Sequence, residues 1–132
     1  MLPYNKKALK ICFRIPKRAH SESVFLLANQ LTVYDINIKQ LSIFVYKSLK
    51  KVIPAPFHSY FQIVSAVHDH NVRSKNNIQT QSVRTNKRKF CVRVRGQTIW
   101  NLIPNAIKNS VSDYIFEKNL QAFLVANPLQ ID

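Results

Sequence analysis

The chain has 132 residues, with 20 Lys and Arg against six Asp and Glu, and a formal net charge of +14. That length suits one ordinary domain, a hydrophobic content of 46% argues against wholesale disorder, and the charge points to an anionic partner. A single glycine, Gly96, excludes the glycine-rich loops that cradle nucleotide phosphates, and two cysteines, Cys12 and Cys91, are too few for a disulfide framework or a four-cysteine zinc site.

Tyr4 to Ile15 reads as a helix. Ala8, Leu9, Ile11, Cys12 and Ile15 share a broad face with lysines opposite, and Pro16 stops it. Ser21 can cap a short helix carrying Val24, Phe25, Leu27 and Ala28. Thr32-Val33-Tyr34-Asp35 has the capping-box spacing, and the helix predicted after it runs over 33–53. Its stripe is Tyr34, Ile38, Leu41, Val45, Leu49 and Val52, widened by Ile36, Ile43 and Phe44. Lys47, Lys50 and Lys51 sit where the helix dipole favours cations, and Pro54 and Pro56 follow. Phe57 to Val64 fits a short helix with Phe57, Tyr60, Phe61 and Val64 on one side. From Ser65 to Asn86 periodicity disappears, as in a flexible linker. Phe90, Val92 and Val94 alternate with Cys91, Arg93 and Arg95, which predicts a half-buried strand closed by Gly96. Ser110 or Ser112 caps a last helix to about Val125, with Trp100 and Phe116 expected in one cluster. The expected fold class is therefore mainly α with a small β element, divided into a helical segment 1–64, a flexible linker 65–86 and a module 87–132 of basic strand plus C-terminal helices.

The charge is blocked along the chain. Lys6, Lys7, Lys10, Arg14, Lys17 and Arg18 lie in an acid-free window, and Arg73, Lys75, Arg84, Lys87, Arg88, Lys89, Arg93 and Arg95 in another, whereas the tail after Gly96 is slightly acidic. Solvated loops account for many basic runs, but fourteen of twenty cations in two windows favour a positioned surface. On a strand, Lys89, Arg93 and Arg95 would project from one face at about 6.6–6.8 Å spacing, which suits a phosphate backbone. A charged edge that resists aggregation is the compatible alternative.

Catalytic patterns are missing. The acids Asp35, Asp69, Asp113, Asp132, Glu22 and Glu117 are scattered, whereas polymerase and nuclease centres need clustered carboxylates. Asp35 and Asp113 stand where helix starts favour an acid. His68-Asp69-His70 offers two ligands on an extended segment but no third, so these residues read as solvated. Trp100, which could stack on a base, fits a core better between Ile99 and Leu102. No nucleophile motif surrounds either cysteine or any serine. The expectation is no cofactor, no metal and no small-molecule substrate. The apolar stretch Leu41–Tyr46 falls far short of the ~18 residues of a membrane span, and no signal-like run follows Lys10. The expected location is intracellular, nuclear or cytoplasmic, neither secreted nor in a membrane.

The order of segments resembles the C-terminal region of reverse transcriptases from non-LTR (LINE-type, jockey-like) retrotransposons. Ala8-Leu9-Lys10-Ile11 with Ile15-Pro16 is similar to the helix after that family's polymerase domain, and Gln40 through Tyr46-Lys47-Ser48-Leu49 and Pro54 to its next long helix. His70-Asn71-Val72-Arg73 resembles an H-N-T-R signature, with Val72 in place of Thr. Arg95-Gly96, Trp100-Asn101, Ile103-Pro104 and Ile107-Lys108 resemble R-G-x-x-x-W-N-x-L-P-x-x-I-K, with Ile103 in place of Leu, and Phe116-Glu117-Lys118-Asn119-Leu120 resembles a closing F-K-x-x-L, with Glu117 in place of Lys. The matches span 8–125. The resemblance implies a non-catalytic tail of an RNA-directed DNA polymerase whose paired-aspartate and endonuclease regions lie upstream, so the chain is expected to be a truncated portion of a longer protein, with that polymerase region as a partner in the parent. The expected contacts are between an RNA or DNA phosphate backbone and Arg73, Arg84, Lys87, Arg88, Lys89, Arg93 and Arg95. The alternative is a stand-alone basic interaction or structural protein, or a non-functional remnant of such an element.

Overall fold

The computed structural model of the protein describes residues 2–67 and 73–129, with side chains from Lys6 onward. Eight α-helices occupy most of these residues: α1 Leu2–Cys12, α2 Ser21–Leu27, α3 Val33–Leu49, α4 Val64–Val67, α5 Asn86–Lys89, α6 Val92–Leu102, α7 Asn105–Lys108 and α8 Asp113–Ala126, with a 3-10 turn at Ala55–Phe57. The mainly helical expectation holds. The β element does not: among the described residues the β structure amounts to one isolated antiparallel bridge, Ile63 with Ile78.

The long helix α3 organises the rest. Thr32 begins it with a capping box, in which the Thr32 hydroxyl accepts from the Asp35 N–H at 3.2 Å and the Asp35 carboxylate accepts from the Thr32 N–H at 3.3 Å. The helix stops at Leu49, four residues short of the expected Ile53. Lys51 takes a left-handed conformation (φ 58°), its N–H donates to Ser48 O at 3.0 Å, and the Val52 N–H donates to Lys47 O at 3.0 Å. This is the Schellman closure, and it leaves Val52 exposed. Arg14 and Asn29, each at φ 51°, end α1 and α2 through the same bonds, Ile15 N–H to Lys10 O and Gln30 N–H to Phe25 O. Three helix ends thus make the left-handed turn that glycine makes most easily, while the one glycine lies elsewhere.

That glycine is inside α6. A Cβ on Gly96 would meet the Phe61 ring at 2.9 Å and Val45 Cγ2 at 3.0 Å. Gly96 therefore lets α6 approach α3 closely, at a cost to helix propensity of about 1 kcal/mol relative to alanine. Expected to end a strand, it lies instead inside a helix, where α6 packs closely on Val45 of α3. The alternation Phe90, Val92, Val94 is short enough to suit either period. What decides is Val94, Gln97 and Trp100, three buried residues at helical spacing that continue through Gly96 against α3.

One core runs through both halves of the chain. Ile38, Val45 and Tyr46 of α3 meet Phe61, Ile78, Ile99, Trp100, Ile103, Ile107, Phe116, Leu120 and Leu124. Tyr46 stacks on Phe116, with ring centroids 4.1 Å apart and planes 10° from parallel, and Trp100 lies 6.0 Å from Phe116, so the expected Trp100–Phe116 cluster forms. The helix expected over 57–64 does not form: Phe57 ends the 3-10 turn, and 58–63, with Tyr60 and Phe61, are not helical. The rings of this stretch pack edge-on around Phe44, with Phe57 at 5.5 Å and Phe61 at 6.1 Å.

The stretch 65–86, read from the sequence as a linker, contains a strap across the core. Ile78 is 1% exposed. Its neighbours bond to the chain before the stretch: Val64 N–H to Asn77 O at 2.8 Å and Gln79 N–H to Gln62 O at 3.0 Å. They also bond to α6 and α7: Trp100 Nε1 to Asn76 O at 3.4 Å, and Lys108 Nζ to Asn77 Oδ1 at 3.0 Å. The motif residues 68–72 lie outside the described residues.

Candidate nucleic-acid interface

The strap runs antiparallel to α6. Asn76 lies beside Trp100, Ile78 beside Asn101, and the Gln81 N–H donates to Gln97 Oε1 at 3.2 Å. The chain therefore leaves the core at the start of α6, turns through Arg84 and forms α5, a single turn whose sequence is Asn86-Lys87-Arg88-Lys89. A turn this short buries nothing. Its side chains stand in solvent, and Arg84, Lys87, Arg88 and Lys89 are all exposed. The ion pairs among the described residues are Lys39 with Glu117 at 3.0 Å, Lys50 with Asp113 at 4.0 Å and His20 with Glu22 at 4.0 Å. None involves the cations from 73 to 95.

Arg93 and Arg95 do not form one row with Lys89, as a strand would have made them. Two positions apart on a helix, they point to different sides. The Arg93 guanidinium lies 5.8 Å from the Tyr60 ring centroid. The Arg95 guanidinium is 5.5 Å from the Tyr34 ring and 5.7 Å from the Phe90 ring. Aromatic faces attract guanidinium groups and leave their N–H edges free to bond. Phe90 and Val92, expected to point into the core, are 58% and 50% exposed, whereas Val94 is buried. Arg73 precedes the strap in the chain and is exposed. The structure thus brings Arg84, Lys87, Arg88, Lys89, Arg93 and Arg95 to the start of α6.

Two residues outside the expected site carry polar work in the core. Asn101 clamps the Ile78 peptide groups. Lys108 is 8% exposed and lies 5.8 Å from the Trp100 ring, and burial pushes its ammonium pKa below the usual 10.5. Neither was legible as a single residue, since both look like ordinary polar surface positions. Among the described residues no group of three His, Cys, Asp or Glu side chains is placed to hold a metal ion, and no helix is long and apolar enough to cross a membrane. No protein-family model, curated protein or solved structure matches this chain.

Proposed function

We propose that the chain is the non-catalytic C-terminal portion of a non-LTR retrotransposon reverse transcriptase and that it binds the phosphate backbone of RNA or DNA through the end of α6 nearest α5. The observation that carries the binding is the exposed group Arg84, Lys87, Arg88 and Lys89, unpaired by any acid among the described residues and continued by Arg93 and Arg95. The family assignment rests on the ordered motifs. Their residues have structural uses that suit an inherited scaffold: Trp100, Ile103 and Ile107 in the core, Asn101 on the strap, Pro104 ahead of α7. In this reading the catalytic steps belong to the upstream part of the parent protein.

The test is the salt dependence of binding to short labelled oligonucleotides, read by fluorescence anisotropy. Neutralising six phosphates on a single strand gives a slope of log K against log salt near about −4. The triple variant Lys87→Ala, Arg88→Ala, Lys89→Ala should flatten the slope by about two units and weaken all sequences alike. Its urea midpoint should barely move, because exposed charges contribute little to stability. Unchanged affinity and slope would assign the cluster to solubility.

A further inference from the structure

We infer that the junction between α5 and α6 is a stacking subsite for an unpaired base, so that the chain takes single-stranded nucleic acid in preference to duplex. This deepens the nucleic-acid reading above and rests on it. Three observations converge. Phe90 directly follows Lys87-Arg88-Lys89 at the end of α5 and is 58% exposed, although it is a large apolar ring beside the densest cation run of the chain. Arg95 stands beside that ring, and its Nε is buried with no hydrogen-bond partner among the described residues. Between them lies a cavity of about 270 Å³, lined by Gln81, Lys89, Phe90, Arg95 and Thr98 among others.

The chemistry of the parts sets the ligand. A ring flanked by cations provides a face for a base and charges for the phosphates on either side, the arrangement that single-strand binders use without regard to sequence. The Arg95 guanidinium borders the cavity and supplies positive charge for a base carbonyl or a phosphate oxygen, and it is already desolvated on its ring-facing sides. Within a duplex both faces of each base are covered by neighbouring base pairs, so Phe90 would reach a face only after a base was extruded, at a cost. An inorganic anion would satisfy Lys89 and Arg95 but leave the Phe90 ring unused.

The experiment compares oligo-dT, oligo-rU and a duplex of equal length on the full chain, with Phe90→Ala, Phe90→Leu and Phe90→Trp. Wild type should bind both single strands more tightly than the duplex. Phe90→Ala should lose about tenfold in single-strand affinity, with the salt slope and duplex affinity unchanged. Phe90→Leu keeps the apolar bulk without the π face and should lose as much, whereas Phe90→Trp should bind at least as well as wild type. Full single-strand affinity in Phe90→Leu, or an equal loss on the duplex, overturns the stacking subsite while a steep wild-type salt slope leaves the backbone-binding reading standing. If wild type binds none of the three, both fall together.

Discussion

Asn101 holds Ile78 by both of its backbone polar groups: its Oδ1 accepts from the Ile78 N–H at 2.9 Å, and its Nδ2 donates to the Ile78 C=O at 3.0 Å. A side-chain amide reproduces here what a neighbouring strand would offer, and it seats a 1% exposed isoleucine in the core without any sheet. Replacing Asn101 by Leu leaves both groups without their partner. A loss of about 2–3 kcal/mol is expected in urea unfolding. Amide exchange at Ile78 should accelerate far more than at Ile38. A variant as stable as wild type would mean that packing of Ile78 alone holds the strap.

That clamp also explains what the sequence could and could not convey. The long helix α3, its Thr32–Asp35 start and the Ser112-capped α8 were legible because their signals are local: a hydroxyl and an acid three residues apart, or a stripe at helical spacing. The strap was not. Among the described residues of 65–86 its buried apolar anchor is Ile78, within a run of Asn, Gln, Ser and Thr, and its fixing bonds go to residues more than ten positions away. The basic window at 84–95 was legible as composition but not as shape. A few alternating residues satisfy both periods, and only the approach of α6 to α3 at Gly96 selects the helix.

Gly96→Ala tests that approach. Alanine gains about 1 kcal/mol of helix propensity, but its methyl would overlap the Phe61 ring and Val45. Phe61 is 4% exposed and hemmed in by Phe44 and Tyr60, so it cannot swing away. Overpacking of this kind costs about 1–3 kcal/mol and should outweigh the propensity gain. A net loss of about 1 kcal/mol or more is expected by chemical denaturation; a gain would show that the two helices separate freely at this point.

Lys51→Gly should move the other way. Lys51 stands at φ 58°, where the side chain of an L-residue crowds its own backbone, a strain of about 1–2 kcal/mol. Glycine relieves that strain but adds freedom to the unfolded chain, worth about 0.4–1 kcal/mol. The balance is a stabilisation of about 0.5–1 kcal/mol, visible as a higher urea midpoint with an unchanged slope. The same exchange at Lys50, the right-handed residue before it, should bring no gain, and equal effects at the two positions would remove the left-handed turn as the cause.

Lys108 gives the protein a stability term that depends on alkaline pH. Its ammonium is buried beside Trp100 and donates to Asn77 Oδ1 at 3.0 Å, and desolvation lowers its pKa from 10.5. Below the lowered folded value the group is protonated in both folded and unfolded chains, and the full desolvation cost is present. Between the folded value and 10.5 the unfolded chain binds more protons, so stability rises with pH across that window. Lys108→Met removes the titration while filling the site with a flexible apolar chain. Measured side by side, the two proteins share their other titrating groups, which cancel in the difference. That difference should be flat below the lowered folded value, shift in favour of wild type between that value and 10.5, and level off above it. Urea midpoints across the series check this, and a difference that stays constant throughout would mean that the Lys108 ammonium keeps its water in the folded chain.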